Sequence, residues 1–348
     1  MSRPVLHYLS PGDPEQRTGG YLYNARILAG LKALGQPVIT HVIPGHHPGP
    51  DPVAARAGEA VLRALPDDSL VLTDGLLHAS LADILPREAA RLRLISILHH
   101  PLALESGLSP EESVLLLAAE TRAVSRHRLV IVSSPRTAVT LRELDIRRDA
   151  IAVIVPGTAP AALTPLPKPA LPRRLLCVGT LTPRKGHDVL LHALAGLGDL
   201  DWALDIYGAT DRDPAWAVRI FALADRLGLS GRLIFHGEQG DAALAGAYAQ
   251  ADLFVLASRY EGYGMVLTEA IAAGLPVVAS GAGAVPDTVP PAAGIVVAPD
   301  DPVALGGALT SILTSADRYR RLCEGAARQR FPDWPEQARA FLSALEGV

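Results

Sequence analysis

The chain is organised as two successive series in which short apolar runs alternate with longer amphipathic segments. Short apolar runs favour buried strands, whereas segments with apolar residues at every third or fourth position favour helices. Strands that alternate with helices are typical of parallel sheets covered by helices, so the sequence predicts an α/β protein. Between the two series, residues 156–172 contain six prolines and almost no periodicity, which predicts a linker.

The predicted strands of the first series are Val5–Leu9, Pro37–Val42, Ser69–Thr73, Leu92–Leu98, Leu129–Val132 and Ile151–Val155, and its predicted helices include Tyr21–Leu34, Asp51–Ala64 and Pro110–Arg126. The predicted strands of the second series are Arg174–Val178, Trp202–Tyr207, Leu233–His236, Asp252–Ala257, Pro276–Ala279 and Gly294–Val297. Its predicted helices are His187–Ala195, Ala215–Gly228, Asp241–Gln250, Tyr263–Ala273 and Pro302–Leu313, and a kink precedes a last amphipathic helix over Glu336–Leu345. We therefore expect one domain over residues 1–163, a second over 172–330 and a closing segment over 331–348.

Composition excludes several classes of protein. The 348 residues suffice for about two domains. A net charge of −4 offers no overall field that would attract nucleic acid or an anionic membrane. The amino terminus lacks the pattern of a signal peptide, and the sequence predicts no transmembrane helix. Cys177 and Cys323 lie far apart, which favours two buried thiols in a reducing compartment, so we expect a cytoplasmic protein.

The richest motif in the chain lies at residues 258–270, directly after the predicted strand that ends at Ala257. Glu261 and Glu269 stand eight positions apart, and the turn between them, with Gly262, Tyr263 and Gly264, opens into a helix. The free N–H groups at such a helix start suit a phosphate or a polyhydroxylated ligand. A carboxylate accepts two hydroxyls side by side, so two carboxylates are able to grip two polyol parts of one ligand.

This string resembles the E-x7-E motif of retaining glycosyltransferases of family 4, which have the GT-B fold. The resemblance covers the second half of the chain closely and the first half loosely. It implies two Rossmann-like, doubly wound parallel-sheet domains that face a central cleft, with a closing segment that crosses back onto the first domain. It also implies a nucleotide-sugar donor, UDP- or GDP-linked, transfer with retention of anomeric configuration, and no bound metal or other cofactor.

The resemblance assigns roles to the donor side of the site. Glu269 is expected to accept the ribose hydroxyls, and Glu261 to hold hydroxyls of the donor sugar, with the N–H groups of residues 262–264 nearby. The loop over residues 178–188 resembles the family's diphosphate loop and carries Arg184 and Lys185. Lys185 occupies the lysine position of that loop, but Thr180 stands where the family usually has Arg. Either Arg184 supplies the second cation from a nearby position, or the donor phosphates are held more weakly.

The resemblance also marks ends of other strands. Gly19 and Gly20 resemble the family's glycine loop, which lies near the donor diphosphate and the acceptor. His99 matches a histidine near the donor sugar, and His100 replaces the Asp that commonly follows it. We expect His100 and Glu105 on the acceptor side. Backbone at His236 and Gly237 is expected to meet the edge of the nucleobase.

Other interpretations stay open at this point. A nucleotide-sugar epimerase, a glycoside phosphorylase and a non-catalytic nucleotide-sugar-binding protein have the same architecture. The acceptor is equally open: a saccharide, a lipid headgroup, a polyol or a small aromatic metabolite. Seven arginines between residues 122 and 148 predict a solvated helix face, with an anionic acceptor or a membrane surface as the bolder alternative.

Overall fold

The structure, a computed structural model, describes residues 3–105, 107–147, 149–159 and 167–348. The strands are β1 (Leu6–Pro11), β2 (Val38–Ile43), β3 (Leu70–Asp74), β4 (Arg93–Leu98), β5 (Leu129–Val132), β6 (Ile151–Val153), β7 (Arg174–Val178), β8 (Ala203–Tyr207), β9 (Leu233–Gly237), β10 (Leu253–Leu256), β11 (Val277–Ser280) and β12 (Gly294–Val297). The helices are α1 (Gly19–Ala33), α2 (Pro52–Ala64), α3 (His78–Leu81), α4 (Leu85–Glu88), α5 (Pro110–Val124), α6 (Pro135–Glu143), α7 (His187–Ala195), α8 (Pro214–Arg226), α9 (Asp241–Gln250), α10 (Met265–Ala272), α11 (Val285–Thr288), α12 (Pro302–Leu313), α13 (Ala316–Arg328) and α14 (Trp334–Glu346). Short 3₁₀ turns cover Gly75–Leu77, Leu102–Leu104, Pro183–Lys185 and Ser230–Arg232.

The chain divides into two compact units. The first comprises the residues up to Gly157 together with Pro332–Val348, and the second comprises Thr158–Phe331. The described part of the predicted linker, 156–159 and 167–172, has no helix or strand, and residues 160–166 lie outside the described residues.

The first unit contains a parallel sheet of six described strands in the order β2-β1-β3-β4-β5-β6. Its order reverses at β1, because β2 pairs on one side of β1 and β3 on the other. In open α/β sheets ligands bind outside the carboxyl ends of the strands at such a reversal. The loops after β1 and β3 are therefore the expected edge for a site in this unit.

The second unit contains a parallel sheet of six described strands in the order β12-β11-β10-β7-β8-β9. Here β7 pairs with β8 on one side and with β10 on the other, so the reversal lies between β7 and β10. Both sheets are flanked by helices, and the prediction of an α/β fold with two doubly wound parallel sheets is confirmed.

Aliphatic side chains fill the cores, as the low aromatic content requires. In the second unit Phe254 on β10 is fully buried among Leu, Val and Ala side chains of the neighbouring strands and helices. In the first unit α14 packs against α1, where a Cβ added at Gly30 would lie 2.5 Å from the Cβ of Ala338. The glycine therefore lets the two helices approach closely, and Phe341 of α14 is fully buried.

Helix ends depart from the sequence prediction where glycine sets the backbone. The helix predicted from Tyr263 begins at Met265, because Gly264 has a φ of 87° in the left-handed region. Helix α13 was not predicted, because charged residues occupy much of it. Its start is fixed by Ser315, whose side chain accepts a hydrogen bond from the backbone N–H of Arg318.

Both cysteines are free thiols, but only Cys177 is buried. The prediction that both are buried is wrong for Cys323, which lies on α13 beside Lys168 and is partly exposed. Within the described ranges, every helix is too short or too polar to cross a bilayer. No group of three or more His, Cys, Asp or Glu side chains among the described residues has the arrangement of a metal site.

Candidate functional site

The main cluster of predicted site residues lies at the reversal of the second sheet. The loop after β7 carries Arg184 and Lys185, and the turn after β10 carries Glu261. Because β7 and β10 are hydrogen-bonded neighbours, the two loops leave the same edge of the sheet side by side. The backbone N–H of Arg259 donates to the carbonyl of Arg184 over 2.7 Å and ties the loops together.

Glu261 is the centre of this cluster. Its Oε1 accepts from Lys185 Nζ at 2.5 Å and from the Ser258 hydroxyl at 2.6 Å, and its Oε2 lies 3.5 Å from Arg184 Nη1. The side chain of Glu261 is only 7% exposed, and that of Lys185 14%. The structure thus brings together three of the residues that the sequence predicted, and it adds Ser258.

The electrostatics of the cluster keep Glu261 ionised. Burial by itself would raise its pKa, but the charges of Lys185 and Arg184 and the hydrogen bonds from Lys185 and Ser258 outweigh burial and lower the pKa to about 2. The carboxylate therefore carries its charge across the whole physiological range. Its two cations are held at one point of the sheet edge, where an anionic ligand would meet them.

Two glycines make the close approach of these loops possible. Gly186 has a φ of 62°, and a Cβ there would lie 2.0 Å from the carbonyl oxygen of Ala257 at the end of β10. Gly283 has a φ of 64°, and its Cβ would lie 2.2 Å from the carbonyl oxygen of Glu261, which accepts from the N–H of Ala284 at 2.9 Å. Any other residue at either position would push backbone away from the cluster.

Glu269 lies on α10. Its Oε2 accepts from the hydroxyl of Tyr248 on α9 at 2.9 Å. Tyr248 is 8% exposed, so its hydroxyl is held in a fixed place. The predicted turn of Gly262, Tyr263 and Gly264 leads directly into α10. The carbonyl of Tyr263 accepts a hydrogen bond from the Thr288 hydroxyl at 2.7 Å.

The remaining donor-side predictions lie on the loop after β7 and at the end of β9. Thr180 lies on the loop after β7, and its carbonyl accepts from the N–H of Thr182. His236, at the end of β9, pairs with Asp205 at 2.7 Å and stacks on Tyr207 with ring centroids 4.2 Å apart. Gly237 follows with a φ of 68° and open space where a Cβ would stand. These contacts occupy the His236 ring with its own strand neighbours.

In the first unit, His99 and Gly20 come together. A Cβ at Gly20 would lie 2.9 Å from Cδ2 of His99, and His99 Nε2 lies 3.2 Å from Oδ1 of Asn24. The Asn24 amide nitrogen donates to Asp74 at 2.6 Å and to the Tyr8 hydroxyl at 2.9 Å, so its oxygen faces His99 and accepts from Nε2. Gly19 begins α1 next to this cluster.

Burial lowers the pKa of His99 to about 4, in spite of the opposing charge of Asp74. The imidazole is therefore neutral at pH 7, with Nε2 as the donor and Nδ1 as an acceptor. A neutral ring of this kind orients hydroxyls and does not supply a positive charge.

His100 and Glu105 form a second contact at this edge, with Nε2 and Oε2 3.0 Å apart. The loop that carries both is hydrogen-bonded to two side chains of α5. Glu120 accepts from the N–H of Leu102 at 3.1 Å, and the Ser113 hydroxyl donates to the carbonyl of Ala103 at 2.7 Å. Glu120 is fully buried, so this support is rigid.

Sequence reasoning missed several residues that contact the predicted site residues or their loops: Ser258, Tyr248, Arg259, Asn24 and Asp74. Asp74 was open to detection, since it is a charged residue at the carboxyl end of an apolar strand and precedes a glycine. Tyr248 and Asn24 lie within helices, where a tyrosine or asparagine gives no signal of its contacts.

The described arginines between residues 122 and 147 differ in their contacts. Arg122 pairs with Asp83 and Arg136 with Glu143, while Arg147 donates to the carbonyls of Val124, Ser125 and His127 beyond the end of α5. Arg148 lies outside the described residues. Arg122 and Arg136 are therefore exposed members of ion pairs, whereas Arg147 caps the carboxyl end of α5.

Comparison with known proteins finds a matching family and similar chains. Residues 164–329 match the family described as Glycosyl transferases group 1. The D-inositol 3-phosphate glycosyltransferase of Xylanimonas cellulosilytica is 30% identical over 258 residues, which are 69% of this chain and 61% of that protein. That of Thermomonospora curvata is 28% identical over 272 residues, which are 71% and 63% of the two chains. The chain thus spans less than two thirds of the length of these curated relatives.

Two solved structures have the same fold along nearly the whole chain. Sucrose-phosphate synthase from Thermosynechococcus elongatus superimposes with a TM-score of 0.83 at 24% identity over 99% of both chains. Anabaena HepE in complex with UDP-glucose gives a TM-score of 0.77 at 20% identity over 99% of this chain and 100% of that one. The likeness to the Glycosyl transferases group 1 family covers residues 164–329, nearly all of the second unit.

Proposed function

We propose that the protein transfers a sugar from a UDP- or GDP-linked donor to an acceptor hydroxyl with retention of anomeric configuration. The observation that carries this proposal is the cluster of Lys185 and Arg184 around the buried carboxylate of Glu261 at the reversal of the second sheet, next to the start of α10. Anions bind at such sheet edges and helix starts. The complexes of HepE with UDP and with UDP-glucose support the choice of donor.

The diphosphate is assigned to Lys185 and Arg184. Both cations lie against Glu261, so a diphosphate would compete with that carboxylate for the Lys185 ammonium. As the bond to the sugar breaks, negative charge grows on the leaving phosphate, and preorganised cations stabilise it most at that moment. As Lys185 turns to the phosphate, Oε1 of Glu261 becomes able to accept a hydroxyl of the donor sugar.

Glu269 is assigned to the ribose hydroxyls, with its side chain oriented by Tyr248. In the first unit, neutral His99 is assigned to the donor sugar, and His100 and Glu105 to the acceptor side. No metal is required in this scheme, because side-chain cations and helix N–H groups balance the phosphate charge.

Retention is assigned to attack on the face that the phosphate leaves, with the departing phosphate taking the acceptor proton. Glu261 is a poor covalent nucleophile, because the Ser258 hydroxyl still donates to its Oε1 after Lys185 has turned to the phosphate. The epimerase, phosphorylase and non-catalytic alternatives gain no comparable support from the geometry of the cluster.

A thermal-shift screen tests the donor assignment. UDP, GDP, ADP and their glucose or mannose conjugates are added to the protein, and the ligand that binds the native state raises its Tm by mass action. We expect a UDP or GDP compound to give the largest shift. A flat response to every nucleotide would contradict the proposal.

Turnover tests the cluster. Replacing Lys185→Met is expected to lower donor hydrolysis by about a hundredfold or more, because a charge that stabilises the transition state is lost. Lys168→Met is the matched control, since Lys168 donates to the carbonyl of Ala251 ahead of β10 and is half-buried in the same unit.

Proton NMR tests the stereochemical outcome. The spectrum of the sugar product at the start of the hydrolysis reports its anomeric configuration, and an inverted configuration would refute retention.

A further inference from the structure

Arg259 makes more contacts than its place between Ser258 and Glu261 suggests. Its guanidinium donates to both carboxylate oxygens of Asp188, at 3.1 and 2.8 Å, and to the carbonyl of Pro183. Its Nε lies 2.7 Å from Asp300, in the loop after β12. One side chain therefore joins the turn after β10 to the loops that follow two other strands.

The contacts with Pro183 and Asp188 enclose Arg184 and Lys185. They fix the two ends of the short segment on which both cations stand. The Arg259 side chain is 27% exposed and that of Asp188 25%, so the bidentate pair is partly shielded from water. A planar guanidinium is able to make these bonds in one orientation, whereas a lysine ammonium is not.

We infer that Arg259 is a positioning residue for diphosphate recognition: it holds the segment 183–188 so that Lys185 and Arg184 meet the phosphate together. This inference rests on the proposed function. Arg259 itself stays bound to Asp188 and Asp300 and acts on the ligand through the two cations.

A merely structural role makes a different prediction. If Arg259 only stabilised the fold, its loss would lower the Tm and weaken every nucleotide alike. If Arg259 positions the cations, its loss weakens the binding of the β-phosphate and leaves the binding of the nucleoside and the α-phosphate unchanged. The ratio of UDP affinity to UMP affinity separates the two roles.

Isothermal titration of the 348-residue chain with UDP and UMP measures that ratio. For Arg259→Met we expect the Kd for UDP to rise roughly five- to tenfold while the Kd for UMP changes by less than about twofold. Arg259→Lys should show most of the same loss, because it keeps the charge without the bidentate geometry. Asp188→Asn should reproduce the effect, and the double variant should be no worse than either single one.

Arg232→Met is the matched control. Arg232 is also a multiply bonded arginine of the second unit, since it lies 3.7 Å over the ring of Trp202 and donates to the carbonyls of Trp202, Leu200 and Gly198. The Arg232→Met variant should have a lower Tm and an unchanged ratio of UDP affinity to UMP affinity.

The outcomes are distinct. An unchanged ratio in Arg259→Met or in Arg259→Lys, with wild-type protein that binds UDP, overturns the positioning role and leaves the proposed function standing. If wild-type protein binds none of UDP, GDP and ADP, the proposed function fails and this inference fails with it. If GDP is the ligand that binds, GDP and GMP replace UDP and UMP in the same comparison.

Discussion

Individual side chains at the second-unit site act in pairs, and each pair joins residues from different elements. Lys185 meets Glu261 across 76 positions of sequence, and Tyr248 meets Glu269 across 21. In both pairs a buried donor orients a carboxylate. A conservative change to Lys185 or Tyr248 should therefore alter the orientation of the glutamate side chain while the glutamate itself is kept.

Tyr248→Phe tests the orientation of Glu269. The change removes one hydroxyl and keeps the ring, so we expect the fold to persist and the affinity for UDP to fall by about fivefold, the net worth of one typical hydrogen bond. Binding of a UDP analogue without the 2′ and 3′ hydroxyls should be unchanged by the substitution. An equal loss for both nucleotides would argue against an action through the ribose.

Acid titration tests the Lys185–Glu261 pair. The pKa of Glu261 falls from an ordinary value near 4.5 to about 2 on folding, so the stabilisation is complete above pH 4.5 and is lost as pH falls towards 2. The difference in free energy of unfolding between wild type and Glu261→Gln should therefore be constant from pH 5 to 7 and shrink below about 4.5. Urea unfolding at a series of pH values measures it; a difference that does not change with pH would exclude the lowered pKa.

At the scale of elements, the site depends on how closely strand ends and loops approach. Gly186 stands between the 3₁₀ turn at Pro183–Lys185 and α7, against the end of β10. The left-handed backbone there turns the chain from the loop into the helix. The lack of a side chain admits the carbonyl of Ala257, so glycine is required for two separate reasons.

A pair of glycine variants separates these reasons. Gly228 has a similar φ of 69° but open space where a Cβ would stand. Gly228→Ala should therefore cost only the left-handed backbone, about 1–2 kcal/mol in free energy of unfolding. Gly186→Ala should cost clearly more and also weaken nucleotide binding, because the backbone of Ala257 must move. Equal losses of stability, measured by urea unfolding, would mean that the close approach is unimportant.

At the scale of the whole molecule, the chain builds two units with separate cores, and its last helix belongs to the first of them. Helix α14 packs on α1 through Gly30 and Ala338 and buries Phe341. Deleting the Phe341 ring leaves a cavity in the first unit.

Phe341→Ala should thus lower protection in the first unit selectively. The expected cost is about 3–5 kcal/mol. Hydrogen exchange followed by mass spectrometry should show faster exchange in peptides of α1 and the strands around it, and little change in peptides of β10 and β11. Phe254→Ala, in the core of the second unit, should give the reverse pattern. Uniform acceleration in both units by either variant would contradict separate cores.

The sequence by itself determined the fold class and most of the strands and helices, because buried strands and amphipathic helices each leave a local periodic pattern. It also marked Lys185, Glu261 and Glu269 through a local motif. The pairing of Lys185 with Glu261, the bonds of Arg259 to Asp188 and Asp300, and the cluster of Asn24, Asp74 and His99 were decided only by tertiary structure. These contacts arise because parallel strands distant in sequence become neighbours at the point where the strand order reverses, and no local pattern records which strand ends will meet there.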